Sequence, residues 1–247
     1  MNEELLRRAS DLARRCRRGG SVTHTGFLTP AEVYALSRWN AEDCEMLFHG
    51  GYEGAERQAA FFLPEWMPAE DFDPAEYLCA LAFTARFGTP GHRDYLGAAL
   101  GLGIERAWLG DIVIEGETAY FICLPSVKEH LLLSLDHVGR WGVKGRELPL
   151  DEVPAAKKEL RERSFSVQSL RLDAVCAGMF SLSRSSAAQA VAEGLVTLNY
   201  SVCLKADAPV GAGDVISLRG KGKGEVLSAG DRSSKKGRLF VTTGVRV

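Results

Sequence analysis

The sequence predicts an α+β chain, and three patterns carry that prediction. Residues 77–148 run strand, helix, strand, strand, helix, strand, the order of a split βαβ unit. Residues 165–247 hold a short capped helix and several short β-patterned runs broken by Gly, Asn and Asp. Residues 3–18 repeat apolar side chains at helical spacing. With 247 residues the chain has room for two or three small domains. The expected organisation is an N-terminal helical and mixed α/β segment over 1–73, a βαββαβ middle domain over 74–150, a linker over 151–164 and a C-terminal domain over 165–247.

In the first segment, Leu5, Ala9, Leu12 and Cys16 share one helix face. Glu3 and Glu4 at its start, and Arg14, Arg15, Arg17 and Arg18 at its end, suit the helix dipole. Thr29 as N-cap, with Pro30 at the first helical position, opens a second helix. Leu47 to Tyr52 reads as a strand entering a glycine turn, Glu53 to Gln58 as a polar stretch, and Ala59 to Leu63 as an apolar run.

The middle segment is legible in order. Tyr77 to Phe87 has a strand pattern, and Asp94 to Leu102 reads as a helix stopped by Gly103. Asp111 to Glu115 and Thr118 to Leu124 form a hairpin through Gly116-Glu117. Ser126 caps a helix running to Val138, and Gly142 to Leu148 is the last strand. This is a ferredoxin-like arrangement, also that of the RNA-recognition motif (RRM), and it hosts many functions. An RRM stacks bases on aromatics of its central strands. Phe83, Tyr120 and Phe121 are the candidates, but Tyr120 and Phe121 face opposite sides and no RNP1 pattern is present. Core packing is their expected role.

Charge is split along the chain. Residues 165–247 carry eleven Lys and Arg against six Asp and Glu, a net +5, while the whole chain is −2, so residues 1–164 carry −7. A basic end on an acidic body is the electrostatic footprint of a nucleic-acid module, and a solvated basic surface has the same composition. The arginines that close the first helix are either dipole-matched surface charge or a second RNA contact. Ser183 is placed as N-cap of a helix running to about Ala192, with Gly194 as its stop. Ala187, Ala190 and Val191 form its apolar face. Arg184 sits in the first turn, where the dipole disfavours a cation. Residues that break a local rule concentrate at functional sites. The free amides of that turn also suit a phosphate, so one helix start offers amides, a hydroxyl and a guanidinium together. Leu195 to Leu198 and Val202 to Leu204 read as strands around Asn199-Tyr200-Ser201, and Gly213-Asp214 as a turn before Val215 to Leu218. The implied fold is two helices on a small twisted sheet.

Other classes find little support. No apolar run approaches the roughly 18 residues that span a membrane, and Met1 to Gly20 lacks the apolar core of a signal peptide. A cytoplasmic chain with no membrane partner is expected. Six cysteines are scattered singly, without C-x-x-C pairs, and read as small buried residues. His92-Arg93-Asp94 lacks the Asn that a kinase catalytic loop needs five residues later, since position 99 is Ala. Gly101-Leu102-Gly103 lacks the third glycine of a dinucleotide loop, and Gly220 to Gly224 lacks P-loop spacing and reads as a flexible basic loop. The five histidines have no metal-ligand spacing, and no Ser–His–Asp set is indicated. The expectation is no catalytic residue, no metal and no cofactor.

The blocks in the last third are R-L-D at Arg171 to Asp173, S-R-S-S-A at Ser183 to Ala187, Gly194, Asn199, and G-x-G-D-V-I-S at Gly211 to Ser217. Their order resembles an S4 domain. Three further blocks stand upstream: Phe48-x-Gly50-Gly51-Tyr52 with Ala55-Glu56-Arg57, His92-Arg93-Asp94-Tyr95-Leu96-Gly97, and Leu102-Gly103-Ile104-x-Arg106 with Leu109-Gly110-Asp111-Ile112. Together these resemble the YlmH family of bacterial S4-domain proteins, and the resemblance covers most of residues 45–223.

That resemblance implies a C-terminal S4 (αL-type) RNA-binding domain behind an RRM-like middle domain. It implies non-catalytic binding to structured rRNA on the large ribosomal subunit, with tRNA as a further partner, in ribosome-associated quality control. The family is also linked to cell division. A monomer is expected. By position, the S4 contacts fall on Arg171, Ser183, Arg184, Gln189 and Lys205, with Arg219, Lys221 and Lys223 in the following loop. Arg171 also suits a pair with Asp173 or Glu193. Tyr200 stands where S4 turns commonly carry glycine. His92, Arg93 and Asp94 either begin the next helix, with Asp94 as N-cap, or touch RNA. An S4-containing RNA-modifying enzyme and a division-site interaction protein are the alternatives, but neither a synthase aspartate nor a methyltransferase glycine loop is evident outside the S4 segment.

Overall fold

A computed structural model describes residues 3–40, 44–155, 160–233 and 237–246. Lys235 and Lys236, two of the eleven basic residues counted over 165–247, lie outside the described residues. The chain forms two compact units, Met1–Ala156 and Lys157–Val247. No helix among the described residues is long and apolar enough to cross a membrane.

The first unit begins with helix α1 (Glu3–Gly19), strand β1 (Thr23–His24), helix α2 (Pro30–Ser37) and strands β2 (Glu45–His49) and β3 (Ala59–Leu63). The strands pair antiparallel in the order β1-β3-β2. Helix α1 buries Leu5, Ala9, Ala13 and Cys16, with Ala13 taking the place expected of Leu12. Helix α2 starts on a full capping box: the Thr29 hydroxyl accepts from the Glu32 amide, and the Glu32 carboxylate accepts from the Thr29 amide. All five residues of β3 are buried. Ala60 and Phe62 face the helices, while Ala59, Phe61 and Leu63 face the middle of the unit. A continuous apolar run is what a strand covered on both faces requires.

The middle of the unit holds β4 (Cys79–Ala85), α3 (His92–Gly101), β5 (Leu109–Glu115), β6 (Thr118–Cys123), α4 (Pro125–Ser134), β7 (His137–Val138) and β8 (Trp141–Leu148). The sheet order β5-β6-β4-β8-β7, all antiparallel, is the split βαβ arrangement with one short added strand. Leu81, Phe83 and Phe121 lie under α3 and α4 with Tyr95, and the Phe83 and Phe121 rings meet at 5.1 Å. Tyr120 faces the other way and is half-buried. Helix α4 departs from expectation: Pro125 is its first residue, Leu124 its N-cap, and it stops at Ser134, because His137 and Val138 pair with β8 instead. In α3 the N-cap is Gly91, and Asp94 is the N3 residue whose carboxylate accepts the Gly91 amide at 2.8 Å.

The two sheets of this unit share a core. Ala80, Ala82, Ile122 and Leu148 on the open face of the middle sheet pack with Phe27, Phe61 and Leu63. Around it runs a polar network. Asp111 accepts the Tyr52 hydroxyl at 2.9 Å and the Glu56 and Arg57 amides. Arg57 donates to the carbonyls of Phe27, Arg106 and Leu109, and Arg106 to those of Leu109 and Gly110. Burial lowers both guanidinium pKa values, Arg106 to about 10, where the Arg57 charge adds to the effect. Gly110 is required, since a Cβ there would stand 2.8 Å from the Phe27 ring.

The second unit comprises β9 (Leu160–Val167), α5 (Leu172–Phe180), α6 (Arg184–Ala192), β10 (Val196–Leu198), β11 (Ser201–Val202), β12 (Val215–Leu218), β13 (Gly222–Ser233) and β14 (Leu239–Arg246). Its six strands run in the order β11-β10-β12-β13-β14-β9. Residues 160–164, expected to end a linker, instead begin edge strand β9, paired along β14. The expected flexible loop over Gly220 to Gly224 is also corrected: Gly222 onward is strand, and only the turn at 219–221 precedes it. Gly224 permits this, because a Cβ there would meet the Met179 sulfur of α5 at 2.7 Å. Both helices bury one face on the sheet through Val175, Cys176, Met179, Ala187 and Val191.

Tyr52→Phe tests the weld between Asp111 and the first segment. It removes a hydrogen bond to a charged acceptor, so it should lower the stability of the first unit by about 1.5–3 kcal/mol, read by chemical denaturation.

Candidate nucleic-acid interface

The site grows from the start of α6. Ser183 has extended backbone, and its hydroxyl accepts the Ser186 amide at 3.0 Å. The Ser185 and Ser186 hydroxyls lie 2.9 and 2.7 Å from it. The first two amides of the helix, at Arg184 and Ser185, have no intrahelical acceptor. A helix start with free amides and exposed hydroxyls is a donor surface for phosphate.

Beside it lies the start of α5, where Arg171 is N-cap. Its neighbour Asp173 is the pivot of the site. The Asp173 side chain is only 6% exposed, yet it is charged, because two guanidiniums share it. Arg171 donates through Nε at 3.1 Å and Nη2 at 3.4 Å. Arg184 donates through Nε at 3.1 Å, and the Ala174 amide adds a fourth bond. Burial alone would raise the carboxyl pKa; the hydrogen bonds and charges of Arg171 and Arg184 outweigh it and hold the group below its ordinary range.

The two arginines are used differently. Arg171 engages Asp173 with two nitrogens, which makes it mainly a clamp. Arg184 engages with Nε alone and keeps both terminal amino groups for another acceptor, with its side chain 50% exposed. Lys205 is brought close through the backbone, since the Asp173 amide donates to the carbonyl of the next residue, Ala206. Lys205 itself is exposed. Gln189 lies further along α6, where its amide donates to the Glu193 carboxylate at 2.8 Å.

Arg219, Lys221 and Lys223 form a separate cluster. The Arg219 amide donates to the Leu195 carbonyl, beyond the C-terminal end of α6. About 13 Å of helix, at 1.5 Å per residue, therefore separates this cluster from Ser183. Arg219 and Lys221 are exposed, and the Lys223 ammonium lies 5.4 Å over the Tyr200 ring. Tyr200 and Asn199 both have positive φ, 68° and 49°, closing a two-residue hairpin of type I′. Tyrosine thus occupies a left-handed position that glycine fits more easily, and the turn is held by Asn199, which bonds Asp214 and the Val215 amide. Residues 157–247 carry 15 basic and 8 acidic side chains, net +7, so both clusters sit in a positive field.

Comparison with known proteins agrees with this geometry. The S4 domain family matches residues 170–216, from α5 to β12. A second family, described as "Putative RNA-binding domain in YlmH", matches residues 68–152. The ribosome-associated protein quality control protein P2 of Bacillus subtilis (strain 168) is 33% identical over 221 residues, covering 88% of this chain and 85% of the relative. The chain belongs to the YlmH family of S4-domain RNA-binding proteins. Among solved structures, the cell division protein ylmH from Streptococcus pneumoniae is similar at 18% identity and TM-score 0.48, over 60% of this chain and 91% of that one.

Within the YlmH frame, the upstream signature residues have a structural place. Tyr52, Glu56, Arg57, Arg106, Gly110 and Asp111 build the weld of the first unit. His92 and Arg93 are exposed at the start of α3. What residue-by-residue reading missed is that Asp173 serves Arg184 as well as Arg171. The signal was the pairing of R-L-D with S-R eleven residues later, at the starts of two helices that pack together.

Asp173→Asn tests the pivot. Its lowered folded-state pKa means that the carboxylate's contribution is complete above the ordinary value of 3.8 and is lost as pH falls through the folded value. The native second unit should therefore lose stability on acidification below that point. The Asn variant should start about 1–3 kcal/mol less stable at neutral pH and show a flatter acid dependence, read by denaturation across pH.

Proposed function

We propose that this chain is a non-catalytic, monomeric factor that grips structured rRNA on the ribosome, on large subunits still holding peptidyl-tRNA. The observation that carries the reading is the S4 helix start, where Arg184 is oriented by a buried carboxylate and flanked by hydroxyls and free amides. Every one of those groups donates, and phosphate is the acceptor they fit. The carboxylate at the helix start, Asp173, is engaged by two arginines that hold its pKa below the ordinary range, which makes it a weak general base. That chemistry supports holding RNA rather than transforming it. The ribosomal setting is supported by the Bacillus subtilis relative, whose name describes a ribosome-associated quality control protein.

Sedimentation of lysate through sucrose at low and high salt tests the setting. The protein should comigrate with free large subunits at low salt and leave them at high salt, because phosphate contacts release counterions. Protein that stays at the top at low salt would sink the ribosomal reading. Arg184→Ala should weaken RNA binding and reduce the log–log salt slope by roughly 0.7–0.9, one phosphate contact. An unchanged slope removes Arg184 from the interface.

A further inference from the structure

The open face of the middle sheet is covered only in part. Read across β8, β4 and β6, its rows are Leu148–Ala80–Ile122, Arg146–Ala82–Tyr120 and Lys144–Thr84–Thr118. The first row lies in the core shared with Phe61 and Leu63. The later rows emerge from it, and Arg146, Lys144 and Thr84 are exposed. The ladder continues one residue beyond β4, since the Arg86 amide donates to the Gly142 carbonyl at 3.1 Å. Arg86 is exposed too.

These cations have no carboxylate partner among the described residues. Glu115, exposed, ends the Lys144–Thr84–Thr118 row, while Asp94 accepts the Gly91 amide and Asp136 lies 3.2 Å from the His137 ring. Next to Arg86, Phe87 is 83% exposed. The following residue, Gly88, has φ +84° and packs so closely on the Trp141 indole that a Cβ would collide with it. That contact fixes the bend carrying Phe87. The Arg140 guanidinium lies 5.1 Å over the same Trp141 ring. Residues 1–156 hold 15 basic and 24 acidic side chains, and six of the basic ones are in α1. Four of the remaining nine, Arg86, Arg140, Lys144 and Arg146, gather at this one end of an otherwise acidic unit.

An exposed aromatic ring among unpaired cations fits an unstacked nucleotide. The ring offers a face to a base, and the cations follow the backbone. A duplex offers no free base face, so the ligand class is single-stranded RNA. We propose that this end of the middle sheet is a second RNA contact, in which Phe87 stacks a base and Arg86, Arg140, Lys144 and Arg146 hold the flanking phosphates. The proposal rests on the RNA-binding reading above, but it uses no residue of the S4 unit.

The test is equilibrium binding of the full chain to two labelled probes, a short oligouridylate and a blunt RNA hairpin, across salt. Phe87→Ala should weaken oligouridylate binding about five-fold or more, the lower end of base–aromatic stacking. Phe87→Trp should retain it, which separates stacking from any effect on folding. The combined change of Arg86, Lys144 and Arg146 to Ala should lower the oligouridylate salt slope by about 2, at ~0.7 per phosphate. Unchanged oligouridylate binding in the Phe87→Ala and triple variants, with hairpin binding lost in Arg184→Ala, overturns this proposal and leaves the S4 reading intact. Failure of the native chain to bind either probe overturns both.

Discussion

The Asp173 carboxylate is the constraint around which the S4 unit is arranged. A charged group that is 6% exposed needs compensation from fixed donors, and here two arginines from two helix starts supply it. The bond network therefore does three things at once. It ties the start of α6 to the start of α5, it fixes the direction of Arg184, and it leaves a net positive charge at the surface. Arg171 reaches the carboxylate with two nitrogens and is spent on the clamp, while Arg184 reaches it with one and projects the rest of its fork. A lysine in place of Arg184 would carry the charge without the planar fork that engages the carboxylate through Nε and leaves both terminal amino groups free.

The first unit is governed by a different constraint, the burial of β3 on both faces. A strand that is apolar on every residue must be covered twice. The two α-helices of the first segment cover one side, and the open face of the middle sheet covers the other. That second packing removes the inner part of the face on which an RRM stacks bases, since Ala80, Ala82 and Ile122 are buried there. The fold is thus RRM-like in topology while its inner sheet face serves as core. What stays open is the end where Arg146, Lys144 and Arg86 emerge.

Legibility followed the range of the interactions. Short-range signals read well: the capping box at Thr29, the Ser183 cap, the Gly116 hairpin and the strand–helix order of the middle sheet all depend on residues a few positions apart. Pairings across the chain were invisible. Strand β9 forms by pairing with β14, about eighty residues later, so residues 160–164 looked like linker. Ser126 failed as a cap because Pro125 already sets the first helical φ, one residue earlier. Arg171 could be foreseen as a partner of Asp173 from adjacency, whereas the Arg184 bond required knowing that α5 and α6 pack start to start.

The same distinction separates the two kinds of basic residue in this chain. Arg57 and Arg106 are half-buried, donate to five backbone carbonyl bonds between them, and have lowered pKa values because they are desolvated. Their charge is used up inside the fold. Arg184, Lys205, Arg219 and Lys221 are exposed, and apart from the one Nε bond of Arg184 their side chains donate to nothing among the described residues. Counterion release rewards mainly charges of the second kind, because a half-buried guanidinium held on backbone carbonyls presents little of its charge to a phosphate outside. Net charge alone therefore understates the contrast between the units: the acidic one hides two of its cations, while the basic one keeps Arg184, Lys205, Arg219 and Lys221 at the surface.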